Sequence, residues 1–174
     1  TPDSGVNFIP TTVVEEKFQE NIKEQYILID GEIKKDENAF SLDVKKEIAA
    51  FKKGQEAKLP IFVGQKDGEN VYVLPMYGKG LWDAIWGFIS VDKNMTVQGV
   101  YFDHKGETPG LGAEIKDNPA FAADFQGTQI YNDNGEYVSI TVRKGGARDE
   151  THEVDGISGS TVTGNGVTEM LHRG

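Results

Sequence analysis

The sequence predicts an α+β fold, with antiparallel β-sheets built from hairpins and flanked by helices. Short apolar runs of strand composition come in pairs, and Gly-, Asn- or Asp-rich turns separate the members of each pair. Apolar residues at helical spacing occur in other segments. We expect residues 1–14 to be an extended lead-in and residues 15–174 to form a single domain, because a chain of 174 residues can bury one substantial core.

Two amphipathic helices are predicted in the N-terminal third. The first covers residues 13–29 and has four apolar side chains at four-residue spacing: Val14, Phe18, Ile22 and Tyr26. The second covers residues 42–53, between an N-cap at Ser41 and Gly54, a residue that favours the end of a helix.

A first β-hairpin is predicted from strand-like runs at residues 58–63 and 70–76, with residues 64–68 as its loop. Pro60 and Pro75 lack a backbone N–H, which favours edge or terminal positions in a sheet. Four further strands are expected along the rest of the chain, at residues 88–91, 97–102, 127–130 and 137–143. The last two flank Asn134-Gly135, which is a strong hairpin signal.

Two more helices are predicted in the C-terminal half. Asn118 caps a short helix over residues 119–125, with Pro119 at its first position. The last helix covers residues 167–171, and either Thr163 or Asn165 is its expected cap.

Composition excludes several classes of function. A formal net charge of −10 argues against nucleic-acid binding, which needs clustered Lys and Arg to neutralise phosphates. The chain has no cysteine and its three histidines show no ligand spacing, so we expect no disulfide and no metal site. No apolar run approaches the roughly 20 residues of a membrane span.

The most informative stretch is residues 155–163, Asp-Gly-Ile-Ser-Gly-Ser-Thr-Val-Thr. It combines one acidic residue and two glycines with four hydroxyl side chains at an expected loop-to-helix junction, a composition that favours phosphate binding. A simple turn followed by a helix cap and a non-covalent anion nest are the two alternative interpretations.

Residues 155–161 resemble the flavinylation motif of the FMN-binding domain family. That domain occurs in the NqrC component of the Na+-translocating NADH:quinone oxidoreductase and in the G component of the related Rnf complex. The family pattern is Asp, two variable positions, Ser or Thr, Gly, Ala, Thr, and its last residue carries FMN through a phosphoester. The resemblance assigns that role to Thr161, and Ser160 stands where the family usually has Ala.

Two other segments carry the resemblance. Residues 107–112, Glu-Thr-Pro-Gly-Leu-Gly, match the family over six consecutive positions and form a rigid loop around Pro109. The aromatic stretch of residues 77–88 resembles the family segment beside the flavin, and core packing is its alternative role. We expect Trp82, rather than Trp86, near the flavin.

The resemblance implies a covalent FMN on Thr161, attached by a transient partner, a flavin transferase that uses Mg and FAD. It implies cofactor-binding roles for twelve residues: Leu81, Trp82, Glu107, Thr108, Gly110, Leu111, Gly112, Asp155, Ser158, Gly159, Ser160 and Thr161. We expect Asp155 to serve the transfer reaction, and Lys144 and Arg148 to be the nearest cations to the phosphate.

The expected function is electron relay between redox centres of the membrane-bound NADH:quinone oxidoreductase, with the other subunits as partners and no independent catalysis. The family places this domain on the outer side of the bacterial cytoplasmic membrane. It also implies an N-terminal membrane anchor before residue 1 and a helix that continues past Gly174. The alternatives are an Rnf-type protein and a flavin-free extracytoplasmic binding module. A flavodoxin-like enzyme is disfavoured, because that fold needs alternating βα units.

Overall fold

The computed structural model of the chain describes residues 22–29, 32–37, 39 and 42–173. It confirms the α+β class, with mostly antiparallel strands and four helices in the described ranges. The chain divides into two compact units, Thr1–Pro75 and Met76–Gly174. The boundary falls inside one long strand, β4 (Glu69–Lys79).

The first unit contains an antiparallel sheet and one helix. Its strands are β1 (Ile22–Ile29), β2 (Glu32–Lys35), β3 (Lys58–Lys66) and the first part of β4, in the order β2-β1-β3-β4. Helix α1 (Val44–Lys52) confirms the helix predicted over residues 42–53, and Gly54 follows it with φ 71°.

The helix predicted over residues 13–29 is wrong for residues 22–29, which form β1. Residues 13–21 lie outside the described part of the chain. Apolar residues four apart, such as Ile22 and Tyr26, satisfy the two-residue period of a strand as well as the period of a helix. The β1 strand pairs with β2 on one side and β3 on the other, so long-range hydrogen bonding decides between the two.

The hairpin of β3 and β4 is tighter than predicted. Lys66 pairs with Glu69, so the turn is only Asp67-Gly68, and both residues have positive φ, 53° and 82°. The ladder runs from Phe62–Val73 to Lys66–Glu69. In the same register Pro60 would face Pro75, and neither residue has an N–H to extend the ladder.

The second unit holds the remaining elements. They are β5 (Ala84–Val91), β6 (Val97–His104), α2 (Glu114–Asp117), α3 (Pro119–Ala123), β7 (Thr141–Arg143), β8 (Glu153–Asp155) and α4 (Thr161–Arg173). The β5–β6 hairpin confirms and extends the strands predicted at 88–91 and 97–102. Asn118 caps α3 as predicted, and its Oδ1 accepts from the Ala120 N–H at 3.0 Å.

Phenylalanines fill the core beneath β6. Phe102, Phe121 and Phe125 pack with ring centroids 5.2–5.6 Å apart, and all three are buried. Val167 and Met170 of α4 are also buried. The backbone of α4 lies very close to the end of β4, because a Cβ on Gly166 would meet the Lys79 carbonyl oxygen at 2.2 Å.

Two predictions for this unit are wrong. Residues 127–130 and 137–143 do not form a regular hairpin. One bridge, Tyr131 to Tyr137, closes the turn around Gly135, and β7 then pairs in parallel with β8. Helix α4 begins six residues before the predicted 167, so Thr163 and Asn165 lie inside it. Gly164 and Gly166 weaken its local helical propensity, but packing of α4 outweighs that preference.

Among the described residues, the helices are all too short or too polar to cross a membrane.

Candidate functional site

Three segments of the second unit meet around a cleft of about 220 Å³, which we call the Thr161 cleft. Its lining residues are Leu81, Trp82, Thr108, Leu111, Gly112, Gly159, Ser160, Thr161, Val162 and Thr163. The first two follow β4, the next three belong to the loop after β6, and the others lie at the start of α4. Eight of these residues were predicted from the sequence, and the tertiary structure brings them together.

The walls of the Thr161 cleft are apolar and exposed. Leu81, Trp82, Leu111 and Val162 are 42–65% exposed, although they are among the largest hydrophobic side chains of the unit. The Trp82 indole is oriented by its Nε1–H, which donates to Thr108 Oγ1 at 3.1 Å. Exposed apolar surface gathered around a cavity is typical of a site that a ligand covers.

The floor of the cleft is the N-terminus of α4. The first intrahelical hydrogen bond runs from the Gly164 N–H to the Ser160 carbonyl at 2.9 Å. Residues 161–163 precede that donor, so their N–H groups have no carbonyl to bind within the helix. Together with the helix dipole, they favour an anion at this end of the cleft. Thr161 is exposed at this point, and its hydroxyl is accessible from solvent.

Ser160, immediately before α4, carries an unpaired hydroxyl. The residue is 6% exposed, and Ser160 Oγ has no hydrogen-bond partner in the described part of the chain. A serine at this position usually accepts a hydrogen bond from an amide of the first turn. A buried polar atom without a partner, beside unpaired amides, fits a phosphate-bearing ligand that would complete its hydrogen bonding.

Glu107 does not line the cleft but lies buried behind its wall, at 4% exposure. Its Oε1 accepts from the Leu81 N–H at 2.7 Å, and its Oε2 accepts from the Trp82 N–H at 2.9 Å. The Thr163 hydroxyl also donates to Oε1, at 2.8 Å. One carboxylate therefore joins all three segments of the cleft. No local pattern indicated this role, because the donors lie far from Glu107 along the chain.

Two glycines make this arrangement possible. A Cβ on Gly80 would lie 1.9 Å from Glu107 Oε1, and a Cβ on Gly112 would lie 2.6 Å from Thr163 Oγ1. Neither distance is compatible with a side chain, so the backbone approaches Glu107 and Thr163 only because these positions are glycine.

The other predicted residues of the motif face a second cleft, of about 350 Å³, which we call the Asp155 cleft. Asp155, Ser158 and Gly110 line it, together with Glu114 and Asp124. Asp155 Oδ1 accepts from the Ala147 N–H at 2.7 Å, so this side chain holds the preceding loop. Among the described residues, no three His, Cys, Asp or Glu side chains are grouped so that they could hold a metal ion.

The loop before the motif is organised by Glu153. Its side chain binds the Arg143 guanidinium and accepts from the backbone N–H groups of Arg148 and Asp149. The Arg143 hydrogen bond, followed by that from Arg148, lowers the pKa of Glu153 to about 2. Lys144 and Arg148, expected near a bound phosphate, line neither cleft.

Comparison with known proteins identifies the fold and the site together. A sequence profile of the FMN-binding domain matches residues 80–174, which include every residue of the Thr161 cleft. The chain belongs to the FMN-binding domain family. The resemblance carried by residues 107–112 and 155–161 is thereby confirmed at the level of the family.

Its relatives are NqrC proteins, components of the Na(+)-translocating NADH-quinone reductase. The protein from Haemophilus ducreyi is 47% identical over 96 residues, which cover 55% of this chain and 37% of the relative. The Vibrio alginolyticus protein is 34% identical over 132 residues, covering 75% of this chain and 51% of the relative. The chain thus spans about half the length, or less, of these curated relatives.

A solved structure extends the likeness to the whole fold. The crystal structure of the corresponding protein from Parabacteroides distasonis is 41% identical and superposes with a TM-score of 0.80. The match covers 95% of this chain and 80% of that one. It supports the antiparallel α+β architecture in both units.

Sequence reasoning missed Val162 and Thr163 as cleft residues. The signal was present, since both directly follow Thr161 in the motif. The predicted start of the last helix, at residue 167, left these two residues without a defined orientation. Once α4 begins at Thr161, its first turn necessarily faces the cleft.

Proposed function

We propose that this chain binds FMN in the Thr161 cleft and carries it as a phosphoester on Thr161. The single observation that carries the proposal is the position of the Thr161 hydroxyl. It is exposed at the N-terminus of a 13-residue helix and lies in a cleft with apolar walls. An anion-binding helix end beside an apolar cleft matches the two halves of FMN, a phosphate and an aromatic ring system.

Each part of the cleft has a distinct role in this proposal. Trp82, Leu81, Leu111 and Val162 provide apolar surface for the ring, while Thr108 fixes the orientation of the indole. The amides of the first turn of α4 receive the phosphate. When bound, FMN supplies the reversible electron transfer, and the protein supplies attachment, orientation and electrostatics. Glu107 keeps the segments around the ring and the phosphate in register.

Attachment would be performed by a separate flavin transferase with FAD as the donor and Mg as the metal. Thr161 Oγ1 attacks the phosphorus of the FMN half and loses its proton. A bond forms between that oxygen and the phosphorus, and the bond from the same phosphorus to the AMP oxygen breaks. AMP then leaves. Thr161 is accessible to such an enzyme because it is exposed. In this proposal Asp155 serves the transferase, from the opposite face of the motif.

At the level of the assembly, we propose an electron-transfer subunit of a Na+-translocating NADH:quinone reductase. Its partners are the other subunits, the domain lies on the outer side of the cytoplasmic membrane, and turnover belongs to the complex. The names of the relatives and the structural likeness support this assignment. An Rnf-type protein is the alternative; it shares the attachment chemistry and differs in the proteins with which it assembles.

The test is intact-mass measurement of the protein produced together with the flavin transferase. The wild type should gain the mass of FMN less one water and become yellow, and Thr161→Ala should gain nothing. Thr151→Ala, which removes an exposed threonine outside the cleft, should be modified like the wild type. An unmodified, colourless wild type under these conditions contradicts the proposal and favours a flavin-free binding module.

A further inference from the structure

We propose that Ser160 Oγ donates a hydrogen bond to the phosphate esterified on Thr161, and that Ser160 is not itself a second attachment point. The inference rests on the proposed function, because it requires a phosphate on Thr161. It assigns a specific task to the position at which this chain departs from the family pattern, Ser in place of the usual Ala.

The Ser160 hydroxyl is both buried and unpaired. The residue is 6% exposed and lines the Thr161 cleft, yet Ser160 Oγ has no partner among the described residues. Burial of a hydroxyl without a hydrogen bond is unfavourable, so such groups usually have a missing partner. An acceptor that enters the cleft would provide it.

The neighbouring hydroxyls of the cleft are already engaged. Thr163 also lines the cleft, but its hydroxyl donates to Glu107 Oε1 at 2.8 Å. Thr108 Oγ1 accepts from the Trp82 indole. Thr161 Oγ1 becomes the ester oxygen and loses its proton. Ser160 is therefore the residue of this group whose hydroxyl has no other task.

The charge of the cleft also favours a hydroxyl donor. A phosphodiester adds a negative charge to a chain whose formal net charge is already −10. None of the ten residues that line the cleft is Lys or Arg. The added charge must then be stabilised by neutral donors, namely the first amides of α4 and a hydroxyl. Ser160 precedes those amides directly and lines the same cleft as Thr161.

Accessibility separates the two hydroxyls by role. A transferase must bring a bulky dinucleotide to the attacking oxygen, and Thr161 is exposed whereas Ser160 is buried. Ser160 thus satisfies the requirement for a non-covalent partner and fails the requirement for an acceptor.

The experiment compares wild type, Ser160→Ala, Thr161→Ala and Ser90→Ala, each produced with and without the flavin transferase. Intact mass reports loading, and the melting temperature is measured for the loaded and unloaded forms. Ser90→Ala is the matched control, because it removes a hydroxyl that already donates to the Gly99 carbonyl on the β5–β6 hairpin. The 31P resonance of the loaded proteins provides a second readout at the phosphate itself.

We expect Ser160→Ala to load fully. Its unloaded form should melt roughly 2–4 °C above the wild type, because an unpaired buried hydroxyl is removed. Its gain in melting temperature on loading should be smaller than that of the wild type, and its 31P resonance should move. Ser90→Ala should keep the wild-type gain and resonance.

An equal gain on loading and an unchanged resonance in Ser160→Ala would overturn the inference while leaving the ester on Thr161 intact. Loading of Thr161→Ala through Ser160 would also overturn it. Failure of the wild type to load would instead contradict the proposed function, so the two failures are distinguishable by mass alone.

Discussion

The Thr161 cleft and the Asp155 cleft lie on opposite sides of one short motif and have opposite chemistry. The first combines exposed apolar side chains with unpaired donors at a helix N-terminus, and it contains no carboxylate. The second is lined by Glu114, Asp124 and Asp155. Residues 159–161 face the proposed flavin position, whereas Asp155 and Ser158 face away from it. Neighbouring residues of a linear motif therefore need not share a site.

The largest effect is expected from Glu107→Gln, which should disrupt the Thr161 cleft. All three partners of Glu107 are donors, so the glutamine NH2 group would face a donor and leave buried groups unpaired. We expect a loss of about 3 kcal/mol in the free energy of unfolding, measured by urea denaturation, with a change in the fluorescence of the indoles.

A carboxylate of the other cleft is the control for this substitution. Asp124→Asn, at an exposed position, should change the free energy of unfolding by no more than about 0.5 kcal/mol. Equal effects of the two substitutions would remove the distinction between a buried tie and a solvated wall.

The next effect is expected from Gly112→Ala. Its new Cβ would lie 2.6 Å from Thr163 Oγ1 and 3.1 Å from Glu107 Cβ, so the loop and α4 must move apart. We expect a loss of about 2 kcal/mol in stability and reduced FMN loading, followed by thermal denaturation and intact mass. Gly106→Ala is the matched control in the same loop, because nothing lies within 4 Å of its Cβ. Similar losses in both variants would show that loop entropy, rather than close packing, decides.

Asp155→Ala tests the other side of the motif. It removes the bond to the Ala147 N–H, so stability should fall by only about 1 kcal/mol and the Thr161 cleft should stay intact. If Asp155 serves the transferase, FMN loading should be roughly tenfold slower or more, the equivalent of about 1.4 kcal/mol. Time-resolved intact mass measures that rate. Undiminished loading would eliminate this role and leave Asp155 as a support of the loop.

The smallest effect at neutral pH is expected at Glu153, beneath the Asp155 side of the motif. The folded-state pKa of Glu153, about 2, lies below its ordinary value of 4.5. The carboxylate therefore stabilises the fold above pH 4.5, and this contribution is lost as the pH falls from 4.5 through 2. Glu153→Gln should show a shallower fall in melting temperature over that range than the wild type. Parallel curves would contradict the assigned ion pair with Arg143.

Local signals predicted several elements correctly. The helix around α1, the β5–β6 hairpin and the Asn118 cap each depend on residues close together in the sequence. The failures have a common cause, since residues 22–29 and residues 161–166 both adopt the structure that distant partners require. Strand β1 is fixed by pairing with β3, and α4 by its close approach to Lys79.

The same division holds for the candidate site. The motifs at 107–112 and 155–161, with Trp82, predicted the lining of the Thr161 cleft because a covalent attachment point and its flexible glycines are local in sequence. The place of Glu107 behind that lining, and the separation of Asp155 from Thr161, depend on contacts between segments that are distant along the chain.

The sequence by itself determined the α+β class, the membership of the FMN-binding domain family and the hydroxyl proposed to carry the cofactor, since each is encoded in short runs of residues. Only the tertiary structure decided which side of the motif each residue faces, and it also left the Ser160 hydroxyl unpaired among the described residues. The physical reason is that hydrogen-bond satisfaction and burial are properties of surroundings assembled from distant segments, which no local pattern specifies.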